Sequence, residues 1–363
     1  LGTTDITEAL VAYKGYLGIS ENGKELSAIV DKAYTNHQTL ADATRELVNA
    51  LFGKKGLICT DADDAALKAQ FAPIVYRDLV EQNSYRQITA SSKTLEEKGY
   101  KPQVNPREIN FFYMTDQLRE RIVEENNEYK VLNTDISFTK ESLQEELSSH
   151  PERFSPNVVM RPVYQEIILP NLAYIGGGAE VTYWLQLKAN FDFYKVPYPV
   201  LILRNSALVI DDRSARKMQI LDINPVGLFS TDEQLKNQWI KSHVGDSLCL
   251  DDEERAIRAV FDQIKLNSYK IDKTLSLSAE AAKTKALKLV ASLEKKLLRA
   301  EKRKHTTSLQ QIDNLKNKLF PSGVLQERVL NIAPMYVLYG EDFIESLFTA
   351  FKPLDHKFTV LYA

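Results

Sequence analysis

Three consecutive glycines, Gly176, Gly177 and Gly178, stand between the apolar run Leu172 to Ile175 and a helical pattern whose first turn holds Glu180. Glycine is demanded where the backbone takes a positive φ or where another group must approach the main chain, and a strand-to-helix turn makes both demands. A helix behind such a turn aims free N–H groups at a crevice, an anion site in principle. The spacing is not GxGxxG, and no lysine followed by serine or threonine completes a phosphate loop. A carboxylate at Glu180 repels phosphate and attracts an amine. The turn therefore suits a polar small molecule bearing an amino group or hydroxyls, with Glu180 accepting hydrogen bonds or acting as a base. Equally, Glu180 could only complement the helix dipole while the glycines permit close packing.

A second apolar run, Val200 to Leu203, ends in Arg204, Asn205 and Ser206. Arginine there could clamp a carboxylate or phosphate, with Asn205 and Ser206 as orienting donors or acceptors; singly, each could be a loop cap. Two short apolar runs joined by one helix form the pattern of a βαβ crossover, so the expected fold class is α/β with a parallel sheet. In the joining helix Val181, Trp184, Leu187 and Phe191 lie three or four apart, which makes Trp184 a core residue before it is a ligand platform.

Elsewhere, helical spacing runs from Thr4 to Phe52. "GLICT" (Gly56 to Thr60) reads as a strand, followed by Asp61, Asp63 and Asp64 at a helix start, where capping explains them better than a metal. "INFFYMT" (Ile109 to Thr115) and "EYKVLNT" read as strands, Lys140 to Ser149 as a helix, and Arg153, Asn157 and Arg161 as loop or element-end residues. Helices are expected from about Ser214 and from Thr231. Asp251 and Glu254 have capping-box spacing ahead of the apolar seam Ile257, Val260, Ile264 and Ile271. After a break at 273–278 a second helix carries Ala286, Val290, Leu293, Leu297 and Ala300, and the seam resumes at Ile312, Leu315 and Leu319 until Pro321. The pair is expected to form an antiparallel coiled-coil arm. "HKFTVLYA" is a last strand returning to a sheet. The expected domains are a helical segment over 1–55, the α/β core with an insert over 56–250, the arm over 251–320, and helices with a strand over 321–363.

The chain has 363 residues, 44% hydrophobic, a formal charge of -3 and a pI near 6.1. These values favour a folded domain and give no global attraction to nucleic acid or anionic membrane. The basic run from Lys295 to Lys304 contains Glu301, follows Glu294 and has no interleaved aromatic residue, so it reads as a solvated helix face. Cys59 and Cys249 fit neither a disulfide framework nor a CxxC site, and the five histidines are scattered, so no metal site is expected. No apolar run is long enough for a membrane helix, and a cytoplasmic location is expected.

The strings "RFSPNVVMRPVYQEIILPNLAYIGGGAEVTYWLQLK", "VPYPVLILRNSALVID", "LEKKLLRAEKRK" and "LFPSGVLQERVLN" resemble the bacillithiol-biosynthesis cysteine-adding family, BshC. The resemblance runs from about Gly56 to the C-terminus. It implies a Rossmann-like core with helical connections and a coiled-coil arm that pairs two copies into a homodimer. It implies a ligase that joins the carboxyl of L-cysteine to the amine of glucosaminyl malate, with ATP or ADP as the expected nucleotide. Asn157, Arg161, Gly176, Gly177, Gly178, Glu180, Tyr183, Trp184, Arg204, Asn205 and Ser206 stand in matching strings as substrate-site candidates, with Glu180 catalytic. Gln326, Glu327 and Arg328 stand in "LQER", where the family places a nucleotide. Family members carry an N-terminal portion before anything like Leu1 to Phe52, so this chain is expected to be the C-terminal portion. Two rival readings are a nucleotide-sugar transferase and a non-catalytic coiled-coil scaffold.

Overall fold

A computed structural model describes residues 5–244 and 250–363, which leaves Cys249 outside the described residues. The chain divides into two compact units, residues 1–205 with 332–357, and residues 206–331 with 358–363. The sequence boundary at 250/251 falls inside the second unit.

The first unit opens with α1 (Thr7–Leu17), α2 (Glu21–Thr35), α3 (Leu40–Phe52), α4 (Ala65–Glu81) and α5 (Asn83–Glu97). Side-chain caps set three of these starts: Ser20 accepts from Gly23 N, Thr39 from Asp42 N, and Asp64 from Leu67 N. Each satisfies one of the amide donors that a helix start leaves open. Asp63 meanwhile pairs with the buried Lys68 at 2.5 Å, so the acidic run is spent on folding. "GLICT" forms no strand. Leu57 and Ile58 are exposed there, and among the described residues no segment pairs with them in the ladder an apolar run needs to become a strand.

An antiparallel sheet follows, built from β1 (Phe111–Thr115), β2 (Leu118–Glu125), β3 (Glu128–Val131), β4 (Ser137–Phe138) and, beyond α6 (Lys140–Ser149), β5 (Phe154–Pro156), in the order β4-β3-β2-β1-β5. Asn126 and Asn127, both at positive φ, make the tight turn between β2 and β3. Next come α7 (Arg161–Ile168), β6 (Ala173–Gly176), α8 (Gly178–Trp184), α9 (Lys188–Tyr194) and β7 (Val200–Leu203). Strands β6 and β7 pair in parallel, Ala173 opposite Val200 through Gly176 opposite Leu203. The crossover thus contains two short helices where one was expected. A shared core of Phe71, Phe111, Phe154, Trp184 and Phe191 holds the helices to the antiparallel sheet, each buried ring contributing about 1.5–3 kcal/mol.

The second unit comprises β8 (Ala207–Ile210), α10 (Asp212–Ile220), α11 (Asp232–Val244), α12 (Asp251–Ile271), α13 (Leu275–Lys304) and α14 (Thr306–Leu319). Helices α12 and α13 form the antiparallel hairpin, with ion pairs Lys265–Glu280 and Asp262–Lys283 across it, both at 2.7 Å. The proposed cap at Asp251 is absent: no side chain caps α12, and Glu254 is taken by Arg258 on the next turn. Leu309, Ile312, Leu315 and Leu319 of α14 pack with Leu208, Ile210, Leu235 and Ile240 into the second core. The chain then adds α15 (Ala333–Tyr339) and α16 (Glu341–Ala350) to the first unit, where Ala333, Tyr336 and Ile344 pack with Leu17, Leu26 and Val30. It ends as β9 (Thr359–Tyr362), parallel to β8.

Candidate functional site

The glycine turn lies at the carboxyl end of the β6–β7 pair, where open α/β sheets bind ligands. None of its glycines takes a positive φ, so close approach is the demand left, and it is made at Gly176. A Cβ on Gly176 would lie 2.7 Å from Tyr174 Cε1 and 3.3 Å from Glu180 Cβ, whereas one on Gly178 would meet nothing within 4 Å. A Cβ on Gly177 would meet the Glu180 Oε2 at 3.4 Å and the Arg204 Cζ at 3.5 Å. Carboxylate and guanidinium therefore flank one glycine. The crossover puts them there, because Arg204 directly follows β7 and its N–H donates to the Gly176 carbonyl at 2.9 Å.

Glu180 also has a local duty. Its Oε2 accepts the Gly177 N–H at 2.7 Å, a first-turn carboxylate reaching back to the amide of the glycine that starts α8. This carboxylate occupies the first turn of a seven-residue helix, which removes the anion-site reading. The chemistry left is that of an acceptor for an amine or hydroxyl, beside a cation for a carboxylate.

Tyr174 and Tyr183 extend the polar neighbourhood. Burial, then Tyr183 and Glu180, push the Tyr174 hydroxyl up to about 12. Burial and Glu180 also raise Tyr183, while Arg161 pulls against both shifts. Both phenols therefore stay protonated at neutral pH. Tyr174 stacks on Trp184 with centroids 4.1 Å apart and planes 21° apart. Trp184 is buried, packed by Phe191 and Tyr198, so its proposed substrate contact is corrected to a supporting one. Its indole N–H completes no hydrogen bond among the described residues.

Other candidates are committed elsewhere. Asn157 donates to Asn110 Oδ1 at 2.9 Å and accepts from Val159 N at 3.0 Å, so its amide anchors the loop after β5. Asn205 Nδ2 reaches the Lys352 carbonyl at 3.5 Å. Ser206 belongs to the second unit and donates to Glu327 at 3.1 Å. Gln326 pairs with both backbone groups of Val209, and Glu327 accepts from Ala207 N. Together these two side chains stand in for a neighbouring strand along β8, with Gln326 buried and Glu327 exposed. Arg328 is exposed and lines a cleft of about 920 Å³ with Phe229, Phe320, Lys316, Asp232 and Glu233. Sequence reasoning missed Tyr174. Its alternation with Gly176 on one face of β6 was the available signal.

Among the described residues no helix is long and apolar enough to cross a membrane. Comparison with known proteins gives two adjoining matches: residues 1–205 match the N-terminal Rossmann-like domain of bacillithiol biosynthesis BshC, and residues 207–363 match its C-terminal coiled-coil domain. The similarity thus begins well before Gly56. A protein of Flavobacterium psychrophilum named "Putative cysteine ligase BshC" is 42% identical over 99% of this chain and 68% of its own length. Relatives of the same name from Christiangramia forsetii and Cytophaga hutchinsonii are 41% and 36% identical, over 67% and 65% of their lengths. The chain thus spans about two thirds of the length of these relatives. With a Rossmann-like α/β unit and a coiled-coil hairpin matched along the whole sequence, the chain belongs to the bacillithiol-biosynthesis BshC family.

Proposed function

We propose that this chain carries the site of a ligase that joins the carboxyl of L-cysteine to the amine of glucosaminyl malate. The observation that carries the reading is the placement of Glu180 and Arg204 on either side of Gly177 at the end of a parallel strand pair. Glu180 receives the substrate ammonium and takes its proton, which frees the nitrogen lone pair for attack. Arg204 holds a carboxylate by charge-assisted hydrogen bonds, and Arg161 adds positive potential beside the two phenols. Gly177 keeps the floor between them clear, so both reacting partners can approach the backbone.

An amide from a free carboxylate requires loss of a carboxylate oxygen, and ATP supplies that activation when bound. The cleft of the second unit suits ATP or ADP in part: the half-exposed Phe229 offers an aromatic surface, and Arg328 offers a phosphate donor. Asp232 and Glu233 also line the cleft, and their carboxylates repel phosphates placed beside them.

A homodimer through the hairpin completes the reading. Helix α12 buries none of its residues, and Val260, Ile271, Leu277 and Leu289 are more than half exposed. A second copy laid along this seam would cover them. The test of function is isothermal calorimetry with glucosaminyl malate. We expect binding by this chain and a large loss in Glu180→Gln; equal affinity in the variant contradicts the role of Glu180.

A further inference from the structure

The phenols beside the glycine turn have no part in the amide chemistry, yet the fold goes to some length to place them. Tyr174 lies on the inner face of β6, two residues before Gly176, and its ring edge fills the space that a Cβ on Gly176 would need. That ring is clamped on its other side by the buried Trp184. A residue larger than glycine at 176 would expel the ring, so the first glycine serves the tyrosine. Tyr183, one residue before Trp184 on α8, lies three residues after Glu180 and so on the same face of that helix, which brings a second hydroxyl to the carboxylate's side; Glu180 and Arg161 act on both phenols. Both tyrosines remain partly exposed.

We infer that Tyr174 and Tyr183 form a neutral hydroxyl pair that reads the ring hydroxyls of an amino sugar while Glu180 takes its amine. The inference rests on the proposed amino-sugar substrate and adds the residues that select it. A phenol that keeps its proton both donates and accepts, which matches a sugar hydroxyl without adding charge to a site that already holds a carboxylate and guanidinium groups. The stack on Trp184 makes Tyr174 rigid, so little side-chain entropy is lost on binding.

The test uses this chain and two ligands, glucosaminyl malate and a cyclohexylamine conjugate of malate that lacks the ring hydroxyls. Affinities are measured by calorimetry for wild type, Tyr174→Phe, Tyr183→Phe and the double variant, with near-ultraviolet circular dichroism as the check on the aromatic stack. Each single change should weaken glucosaminyl malate about five- to tenfold, as expected for one lost hydrogen bond in a confined site. The conjugate should bind all four proteins alike. Equal affinity of wild type and double variant for glucosaminyl malate overturns the inference and leaves the substrate reading standing. So does an equal loss for both ligands, which marks a structural effect. Failure of folded wild type to bind glucosaminyl malate overturns both.

Discussion

Replacing Gly176 by alanine tests why the turn is built from glycine. The added Cβ would stand 2.7 Å from Tyr174 Cε1, 3.3 Å from Glu180 Cβ and 3.4 Å from Tyr174 Cδ1. The first distance lies far inside carbon–carbon contact, and the ring cannot swing away because Trp184 stacks against it at 4.1 Å. The backbone at 176 has no positive φ, so the cost is overpacking alone, about 1–3 kcal/mol. Gly178→Ala is the internal control: its Cβ meets nothing, and alanine at a helix start gains a few tenths to about 1 kcal/mol over glycine. Urea denaturation followed by tryptophan fluorescence gives both values, and near-ultraviolet circular dichroism reports the stack. Gly176→Ala should lower stability and change the aromatic signal, while Gly178→Ala should do neither. Equal behaviour of the two variants would refute the claim that close approach, rather than turn conformation, selects glycine at 176.

Other consequences are direct. Burial alone would raise the Glu146 pKa, but hydrogen bonds from Tyr113 at 2.6 Å and Arg153 at 2.7 Å hold it below its ordinary 4.5. A depressed folded-state pKa gives stability that is present above the unfolded value and is lost as pH falls through the folded one. Glu146→Gln should therefore cost about 1–2 kcal/mol at pH 7 and progressively less below pH ~4.5 in a pH series of urea melts; a gap that widens on acidification contradicts this. Asp211 caps α10 by accepting from Arg213 N and Ser214 N and pairs with Lys318 at 2.6 Å. Asp211→Ala should cost about 1–2 kcal/mol in a thermal melt, and a change within error would show that the cap is not formed. Shortening the hairpin between Arg255 and Val290, which leaves α14 whole, should turn dimers into monomers in sedimentation, and an unchanged dimer would refute the role of the hairpin.

Much of the helical framework and part of the sheet were legible because periodicity and caps are local. Asp64, Lys140 to Ser149, the β6–β7 crossover and the returning strand at Thr359 all follow from residues close in sequence. "GLICT" failed because a strand needs a partner, and pairing is decided outside the segment. Strand β2 went unnoticed because "LRERIVEE" carries charge on most positions, and only the Asn126-Asn127 turn reveals its hairpin. At the site, the sequence pointed to Glu180 and Arg204, which the crossover brings to either side of Gly177. It gave no sign that Asn157, Gln326 and Glu327 are paired within the fold, because the Asn110 side chain and the backbone of β8 that pair with them lie 47 to 120 residues away. It passed over Tyr174, whose role depends on a stack ten residues along the chain.

The most direct test of the account is product formation. Glucosaminyl malate, L-cysteine and ATP are incubated with this chain, with a version extended at its N-terminus, and with the Glu180→Gln form of each, and the products are weighed by mass spectrometry. The account predicts the cysteinyl amide of glucosaminyl malate from the wild-type protein and a large loss in the variant. Undiminished product in the variant, or none from folded wild-type protein in either length, would contradict it.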